Sequence, residues 1–340
     1  MPPPAPPLFS IVLATRDRAS LFAVALASVM RQTWADFEII VVNDGSAEAV
    51  MADYDAVLAR AGEKLGPRLR SFRLQRRARG HGQSYALNHG VEQACGQYVA
   101  FLDDDDLWID DGHLQRAADN LLAERAAGRE PDLYMSNQEA YRGEQKVPGP
   151  VWVEGLLPHL RAAGRVPTAH GAYAVSVPDL MAITGFCHLN CLIVRRALHG
   201  AVGGMDERIR WECDRDVFLR LVDASALTLH HPAVTSRHHV PEPKAGTSMT
   251  TSLNEVERRL WQLRVLEKCA HGLKHPLLRA HCRTHLGYTL KRIATEMAHQ
   301  QAWRLASVYA AEGLAVLPTV KWAAFTLLCM ARRLVNPRGR

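Results

Sequence analysis

Four consecutive aspartates at positions 103–106 are the residues of this sequence best suited to chemistry. Adjacent carboxylates repel one another, and their oxygens are the ligands that Mg²⁺ and Mn²⁺ prefer. In an extended segment alternate side chains share a face, so Asp103 and Asp105 would lie together, opposite Asp104 and Asp106. The run therefore predicts a metal site. Asp106 could instead cap a helix that begins near Leu107.

A second acidic group, formed by Glu212, Asp214 and Asp216, precedes a stretch whose apolar residues have helical spacing. A positioned carboxylate can act as a general base, which typically contributes about a hundred- to ten-thousand-fold to a rate. Acids are also favoured at a helix N-terminus, so Asp214 and Asp216 could serve only there. Trp211 could stack on a bound ligand, or it could be an ordinary buried tryptophan.

Short apolar runs predict the elements that position these groups. Phe9–Ala14, Phe37–Val42 and Tyr98–Leu102 read as buried strands, and Leu69–Leu74 as a weaker one, with helical patterns between them. This alternation predicts an α/β fold with a mostly parallel, Rossmann-like sheet and helices on both faces. Ligands bind beyond the carboxyl ends of such strands. The residues at those ends are Thr15, Arg16, Asp44, a basic loop that contains Arg76, Arg77 and Arg79, and the aspartate run.

Composition limits the class of protein. The chain has 340 residues, 48% of them apolar and 22% charged, which indicates a folded protein rather than a disordered one. The net charge of +6 suits anionic ligands such as nucleotide diphosphates and does not by itself indicate nucleic acid. Seven scattered cysteines without a CxxC pair predict free thiols. Cys187, His188 and Cys191 lack the second ligand pair of a zinc site.

The ends of the chain bear on location. The N-terminal residues are rich in proline and lack the basic and apolar regions of a signal peptide. The longest apolar stretch near the C-terminus, Trp322–Ala331, is too short to span a bilayer, so we expect a cytoplasmic protein. The overlapping stretch Val320–Met330 could lie on the inner face of an anionic membrane, or it could pack on its own domain. The basic residues beside it are Arg332, Arg333, Arg338 and Arg340.

Several blocks in order resemble glycosyltransferase family 2. They are 26–46, which ends in Asn43-Asp44-Gly45-Ser46, then 82–90, 94–106, 202–207 and 214–221. The resemblance runs from about residue 9 to about residue 248 and implies a GT-A fold. It implies a glycosyltransferase domain at residues 1–249, with a nucleotide-sugar half at about 8–130 and an acceptor half at 131–249. A C-terminal helical region would follow at 250–340.

The resemblance also implies an activity. A sugar would pass with inversion from a UDP-, GDP- or dTDP-sugar to a saccharide or lipid-linked acceptor, with Mn²⁺ or Mg²⁺ and without nucleic acid. Such transfer belongs to polysaccharide, glycan or glycolipid assembly. The implied roles are base and ribose binding by Thr15, Asp44 and Asp103, metal binding by Asp105 and His239, and general base catalysis by Asp214. Glu212 is a second candidate base, and Trp211 and Asp216 fall on the acceptor side. Arg16, Arg77 and Asp104 are further donor-binding candidates, with diphosphate binding expected of Arg76, Arg77 or Arg79.

Two alternatives stay open at this point. A non-catalytic nucleotide-sugar-binding protein could keep the same fold, although it would not need both the aspartate run and Asp214. An aspartate-nucleophile phosphatase usually carries its DxD motif on the first strand, whereas this run follows a later one. A dinucleotide oxidoreductase is poorly supported, because no GxGxxG follows Phe9–Ala14.

Overall fold

The computed structural model describes residues 6–147, 152–240 and 253–335. The chain divides into two compact units, the first made of residues 1–210 and 220–240, the second of residues 211–219 and 241–340. The domain boundary predicted at residues 249 and 250 lies outside the described residues, as do Arg338 and Arg340.

Within the described part of the first unit, ten strands form one sheet. They are β1 (Phe9–Thr15), β2 (Phe37–Asn43), β3 (Leu69–Arg73), β4 (Tyr98–Phe101), β5 (Leu107–Trp108), β6 (Leu133–Arg142), β7 (Gln145–Lys146), β8 (Tyr173–Val175), β9 (Leu192–Arg195) and β10 (Thr228–His239). The order is β3-β2-β1-β4-β9-β6-β10-β5, with β7 beside β6 and β8 beside β10. Strands β1 to β4 are mutually parallel, as predicted. Strand β9 then pairs antiparallel with both β4 and β6, so the sheet as a whole is mixed.

Helices cover both faces of the parallel half. Ile11 and Ile39 belong to a buried core with Phe22 and Leu114, which come from the two helices that follow β1 and β5. Val12, the residue after Ile11, faces the opposite side of the sheet. It packs against Gly90, where a β-carbon would collide with it. The helices are α1 (Ala19–Met30), α2 (Met51–Leu65), α3 (Gln83–Gln93), α4 (His113–Ala126), α5 (Leu156–Ala162), α6 (Val177–Met181), α7 (Arg196–Ala201) and α8 (Cys213–Ala224), the last of which contains residues of both units.

The second unit is helical in its described residues. It contains α9 (Glu255–Gly272), α10 (Pro276–His299), α11 (Trp303–Val316) and α12 (Val320–Val335). A capping box between Asn254 and Glu257 begins α9. Ala294, Ala306 and Cys329 are buried together where α10, α11 and α12 pack. The prediction of an α/β fold with a C-terminal helical region is confirmed. Among the described helices, none is long and apolar enough to cross a membrane.

Candidate functional site

The four aspartates form a β-turn. The amide of Asp106 donates a hydrogen bond to the carbonyl of Asp103 at 3.2 Å, which is the bond that closes such a turn. The first and fourth residues of a closed turn lie side by side, so the prediction that alternate aspartates share a face is wrong. The helix cap predicted at Asp106 is also wrong, because β5 follows it and α4 begins only at His113.

Asp103 and Asp106 lie beside His188, and one ligand atom from each falls within 4.8 Å of the others. Asn190 fixes the turn: its Oδ1 accepts from the amide of Asp103 at 3.0 Å, and its Nδ2 donates to Asp106 at 2.6 Å. Burial raises the pKa of Asp103 well above its ordinary value, and the nearby Asp106 carboxylate raises it further. Two carboxylates and an imidazole around one point fit a divalent cation, which would relieve this repulsion.

Asp106 also forms an ion pair with His238. Its Oδ2 lies 2.8 Å from Nδ1 of His238, and its Oδ1 accepts from the amide of His239 at 2.7 Å. Burial works against the charge on His238, but the Asp106 carboxylate outweighs burial and raises the pKa of His238 to about 9. Burial likewise opposes the charge on Asp106, and His238 lowers the pKa of that carboxyl below its ordinary value. The two groups are therefore charged together at neutral pH.

The other two aspartates face Arg18, which precedes α1. The Arg18 guanidinium lies 2.7 Å from Asp104 Oδ1 and 2.6 Å from Asp105 Oδ2. Thr15 donates its hydroxyl to Asp104 Oδ2 at 2.6 Å. Burial raises the pKa of Asp104 to about 6, although Arg18 works against this rise. His239 places its Nδ1 2.7 Å from the main-chain oxygen of Asp105, whereas the carboxylate of Asp105 is paired with Arg18.

Asp44 and Arg16 hold the basic loop against the end of the sheet. The Asp44 carboxylate accepts from the amides of His81 at 2.8 Å and Gly82 at 3.0 Å. Arg16 donates to the carbonyl of Arg77 at 2.8 Å, while the Arg77 side chain itself is exposed. Gly80 has a φ of +63°, and a β-carbon there would collide with both Arg16 and Asp44. Only glycine therefore allows this close approach.

The candidate base residues belong to the second unit. Glu212 has a φ of +64°, and its Oε2 lies 2.5 Å from Nε of Arg215. Burial raises the pKa of Glu212 to about 7, although Arg215 opposes the rise. Asp214 accepts from the amide of Arg215 at 2.8 Å.

The two acceptor-side candidates lie nearby in the same unit. Asp216 is buried and forms an ion pair with Lys268 of α9 at 2.8 Å, which suits a structural role. Trp211 is partly buried.

Sequence reasoning missed three site residues. Arg18 could have been found as a cation just after the carboxyl end of β1, because ligands are expected beyond the carboxyl ends of the parallel strands. The sequence suggests His188 only as a zinc ligand with the neighbouring cysteines. In the structure its Nε2 lies 3.8 Å from Oδ2 of Asp103. Asn190 gave no signal, because its role depends on contacts with residues more than eighty positions away.

Known proteins resemble this chain in sequence. The model of the family described as "Glycosyl transferase family 2" matches residues 10–164. A "PGL/p-HBAD biosynthesis glycosyltransferase" of Mycobacterium bovis is 26% identical over 258 residues, which cover 75% of this chain and 85% of that protein.

Two solved structures have a similar fold. S. aureus TarS 1-349 in complex with UDP-GlcNAc has a TM-score of 0.64 and 15% identity, covering 96% of this chain and 88% of that one. Mannosyltransferase PcManGT from Pyrobaculum calidifontis, in complex with GDP-Man and Mn²⁺, has a TM-score of 0.56 and 16% identity, covering 97% and 87%. These two likenesses concern the fold alone. Residues 10–164 thus match a glycosyltransferase family 2 domain, and the fold of the chain is similar to that of these two solved structures.

Proposed function

We propose that the protein transfers a sugar from a nucleoside-diphosphate sugar to a hydroxyl acceptor, with inversion at the anomeric carbon. The observation that carries this proposal is the gathering of Asp44, Thr15, Arg18 and the aspartate turn at one edge of the family 2 domain. The mannosyltransferase and the TarS structure are described with GDP-Man and UDP-GlcNAc, which are donors of this class.

The donor would bind along this edge. Asp44 would accept a hydrogen bond from a nucleobase N–H, and Thr15, Asp103 and Asp104 would bind the ribose hydroxyls. Arg16 orders the loop that carries Arg77, whose exposed guanidinium suits a diphosphate.

Asp103, Asp106 and His188 would hold Mn²⁺ or Mg²⁺, because their ligand atoms already lie within 4.8 Å of one another. When bound, such an ion would neutralise the diphosphate and stabilise its departure. The pair implied by the family resemblance, Asp105 and His239, is the alternative ligand set. It is less favoured because Arg18 occupies the Asp105 carboxylate.

Asp214 is the proposed general base. It would accept the proton of the acceptor hydroxyl while the new oxygen–carbon bond forms and the diphosphate leaves from the opposite face with its bonding electrons. Glu212 is the rival candidate, since a base works best with a pKa near the working pH and its pKa is about 7. A helix-terminal role for Asp214 is the alternative to its assignment as the base.

The proposal is tested by binding and by product analysis. UDP-, GDP- and dTDP-sugars should be screened for thermal stabilisation with and without Mn²⁺, and the best donor assayed for slow release of its nucleoside diphosphate. Release that requires Mn²⁺, with an inverted anomeric product by NMR, supports the transferase. Binding without any release would favour a non-catalytic nucleotide-sugar-binding protein, and no stabilisation by any donor would contradict both.

We further propose that α12 rests on an anionic membrane, where a lipid-linked acceptor for glycolipid or polysaccharide assembly would be found. Its outer face carries an apolar stripe with helical spacing, Val320, Ala324, Leu327, Ala331 and Leu334, all exposed. The exposed fractions of Val320, Leu327 and Leu334 are 90%, 67% and 81%. The charged residues of α12 are Lys321, Arg332 and Arg333, all cationic. An apolar stripe flanked by cations suits the surface of an anionic bilayer.

A further inference from the structure

Trp152, just before α5, completes a wall of three rings beside the aspartate turn. The centroid of its indole lies 5.9 Å from that of His188 and 5.3 Å from that of His238, with interplanar angles of 69° and 81°. The two imidazole centroids are 5.3 Å apart. His188 faces Asp103 and His238 is paired with Asp106, so the indole contacts the imidazoles of two groups at the proposed metal site.

The chain holds Trp152 in this place against its backbone preference. Its φ is +56°, a left-handed value that bulky residues rarely adopt. Gly185 lies against it so closely that a β-carbon would overlap the carbonyl of Trp152. The next residue, Val153, is 1% exposed and anchors the segment in the interior. Packing therefore imposes a strained conformation on a large aromatic residue, a pattern that is common at ligand sites.

The order of the strands separates this wall from the nucleoside end of the proposed donor site. Asp44 follows β2, the aspartate turn follows β4, and His188 and His238 belong to the β9 and β10 side of the sheet. With the nucleoside beside Asp44 and the diphosphate at the turn, the group beyond the diphosphate is the sugar. Trp152 is only partly buried, so part of this residue is accessible.

We propose that Trp152 forms one wall of the subsite for the transferred pyranose ring. The flat, apolar face of an indole matches the C–H face of a sugar, and the nearby His238 imidazole can hydrogen-bond to a sugar hydroxyl. This inference rests on the proposed function, because it places the donor's diphosphate at the aspartate turn.

The test compares each nucleotide sugar with its own nucleoside diphosphate. Calorimetric titrations of the full chain with Mn²⁺ would use UDP-GlcNAc against UDP and GDP-mannose against GDP. Trp152→Ala should weaken the favoured nucleotide sugar by about tenfold and leave its nucleoside diphosphate nearly unchanged. Trp152→Phe should recover most of the lost affinity. Gly185→Ala should act in the same direction as Trp152→Ala, because it displaces the tryptophan.

Trp261→Ala is the matched control, since it removes a partly buried indole from α9 of the second unit. Equal weakening of the sugar nucleotide and the nucleoside diphosphate by Trp152→Ala would overturn the subsite, and so would no change in either. A wild-type protein that binds neither ligand would overturn the proposed function itself, and the subsite with it.

Discussion

Arg18 binds the carboxylate of Asp105, with Nη1 2.6 Å from Oδ2. The carboxylate that family resemblance assigns to the metal is thus already neutralised by a guanidinium. An ion at Asp105 would have to displace Arg18 or share its partner, which costs a charge-assisted hydrogen bond. Asp103, by contrast, has a pKa held high by burial and by the neighbouring carboxylate of Asp106, which a cation would relieve.

We predict that Asp103→Asn and His188→Gln each weaken Mn²⁺ binding by about tenfold or more, whereas Asp105→Asn has a smaller effect. The reason is that the first two remove ligand atoms from the compact cluster, and the third removes a partner of Arg18. Titration of free Mn²⁺ by electron paramagnetic resonance, in the presence of UDP or GDP, measures this. The reverse order of effects would restore Asp105 and His239 as the ligands.

Asp106→Asn should lower the free energy of unfolding by about 3 kcal/mol at neutral pH, because it removes the carboxylate whose buried ion pair keeps His238 charged. The measurement is urea unfolding at neutral pH. Asp111→Asn is the control, since its ion pair with Arg31 is half exposed and should contribute less than about 1 kcal/mol. Equal, small losses in the two variants would show that the Asp106–His238 pair does not stabilise the fold.

The pH dependence of the free energy of unfolding should show the titration of the Glu212 carboxyl. Its pKa in the folded protein is about 7, above its ordinary value of 4.5. A carboxyl group whose pKa is higher in the folded protein stabilises the fold fully at pH values below its pKa in the unfolded chain. This stabilisation is lost as the pH rises through its pKa in the folded protein. Stability should therefore fall between about pH 4.5 and pH 7, by as much as about 3 kcal/mol.

Glu212→Gln should flatten this fall, and Glu267→Gln, an exposed change on α9, should leave it in place. Urea unfolding at several pH values compares the slopes. An unchanged slope in Glu212→Gln would mean that the carboxyl titrates near its ordinary value.

Asp214→Asn should reduce transfer by about a hundred- to ten-thousand-fold with donor affinity nearly unchanged, because it removes a proton acceptor and not a donor contact. Product formation and calorimetric donor binding, measured on the same preparation, provide the comparison. Glu212→Gln should retain most of the transfer rate. If Glu212→Gln loses the transfer rate while Asp214→Asn keeps most of it, Glu212 is the base.

Replacement of Leu327 and Leu334 by aspartate should abolish sedimentation with vesicles that contain phosphatidylglycerol, since it interrupts the exposed stripe and adds like charge to the lipid. Wild-type protein should bind these vesicles and release them at high salt, and it should not bind pure phosphatidylcholine. Leu122→Asp, at a 40% exposed position on α4, is the control. Sedimentation that survives the double replacement would contradict the proposed face, and dimerisation through α12 would point to a second copy instead.

The sequence alone determined the strands whose carboxyl ends carry the candidate site. Phe9–Ala14 and Phe37–Val42 became strands with nearly the predicted bounds, because runs of β-branched and other apolar residues suit a strand buried on both faces. The same patterns could not show that β9 runs antiparallel, since parallel and antiparallel buried strands have the same apolar composition.

Only the tertiary structure decided how the aspartates are used. Four identical residues carry no periodicity, so nothing in their order distinguishes a strand from a turn that joins Asp103 to Asp106. Arg18, His188 and Trp152 reach the turn from distant parts of the chain, and such contacts depend on packing that local sequence does not encode. The sequence thus predicted that the four aspartates follow a strand of the sheet, and packing determined which residues they contact.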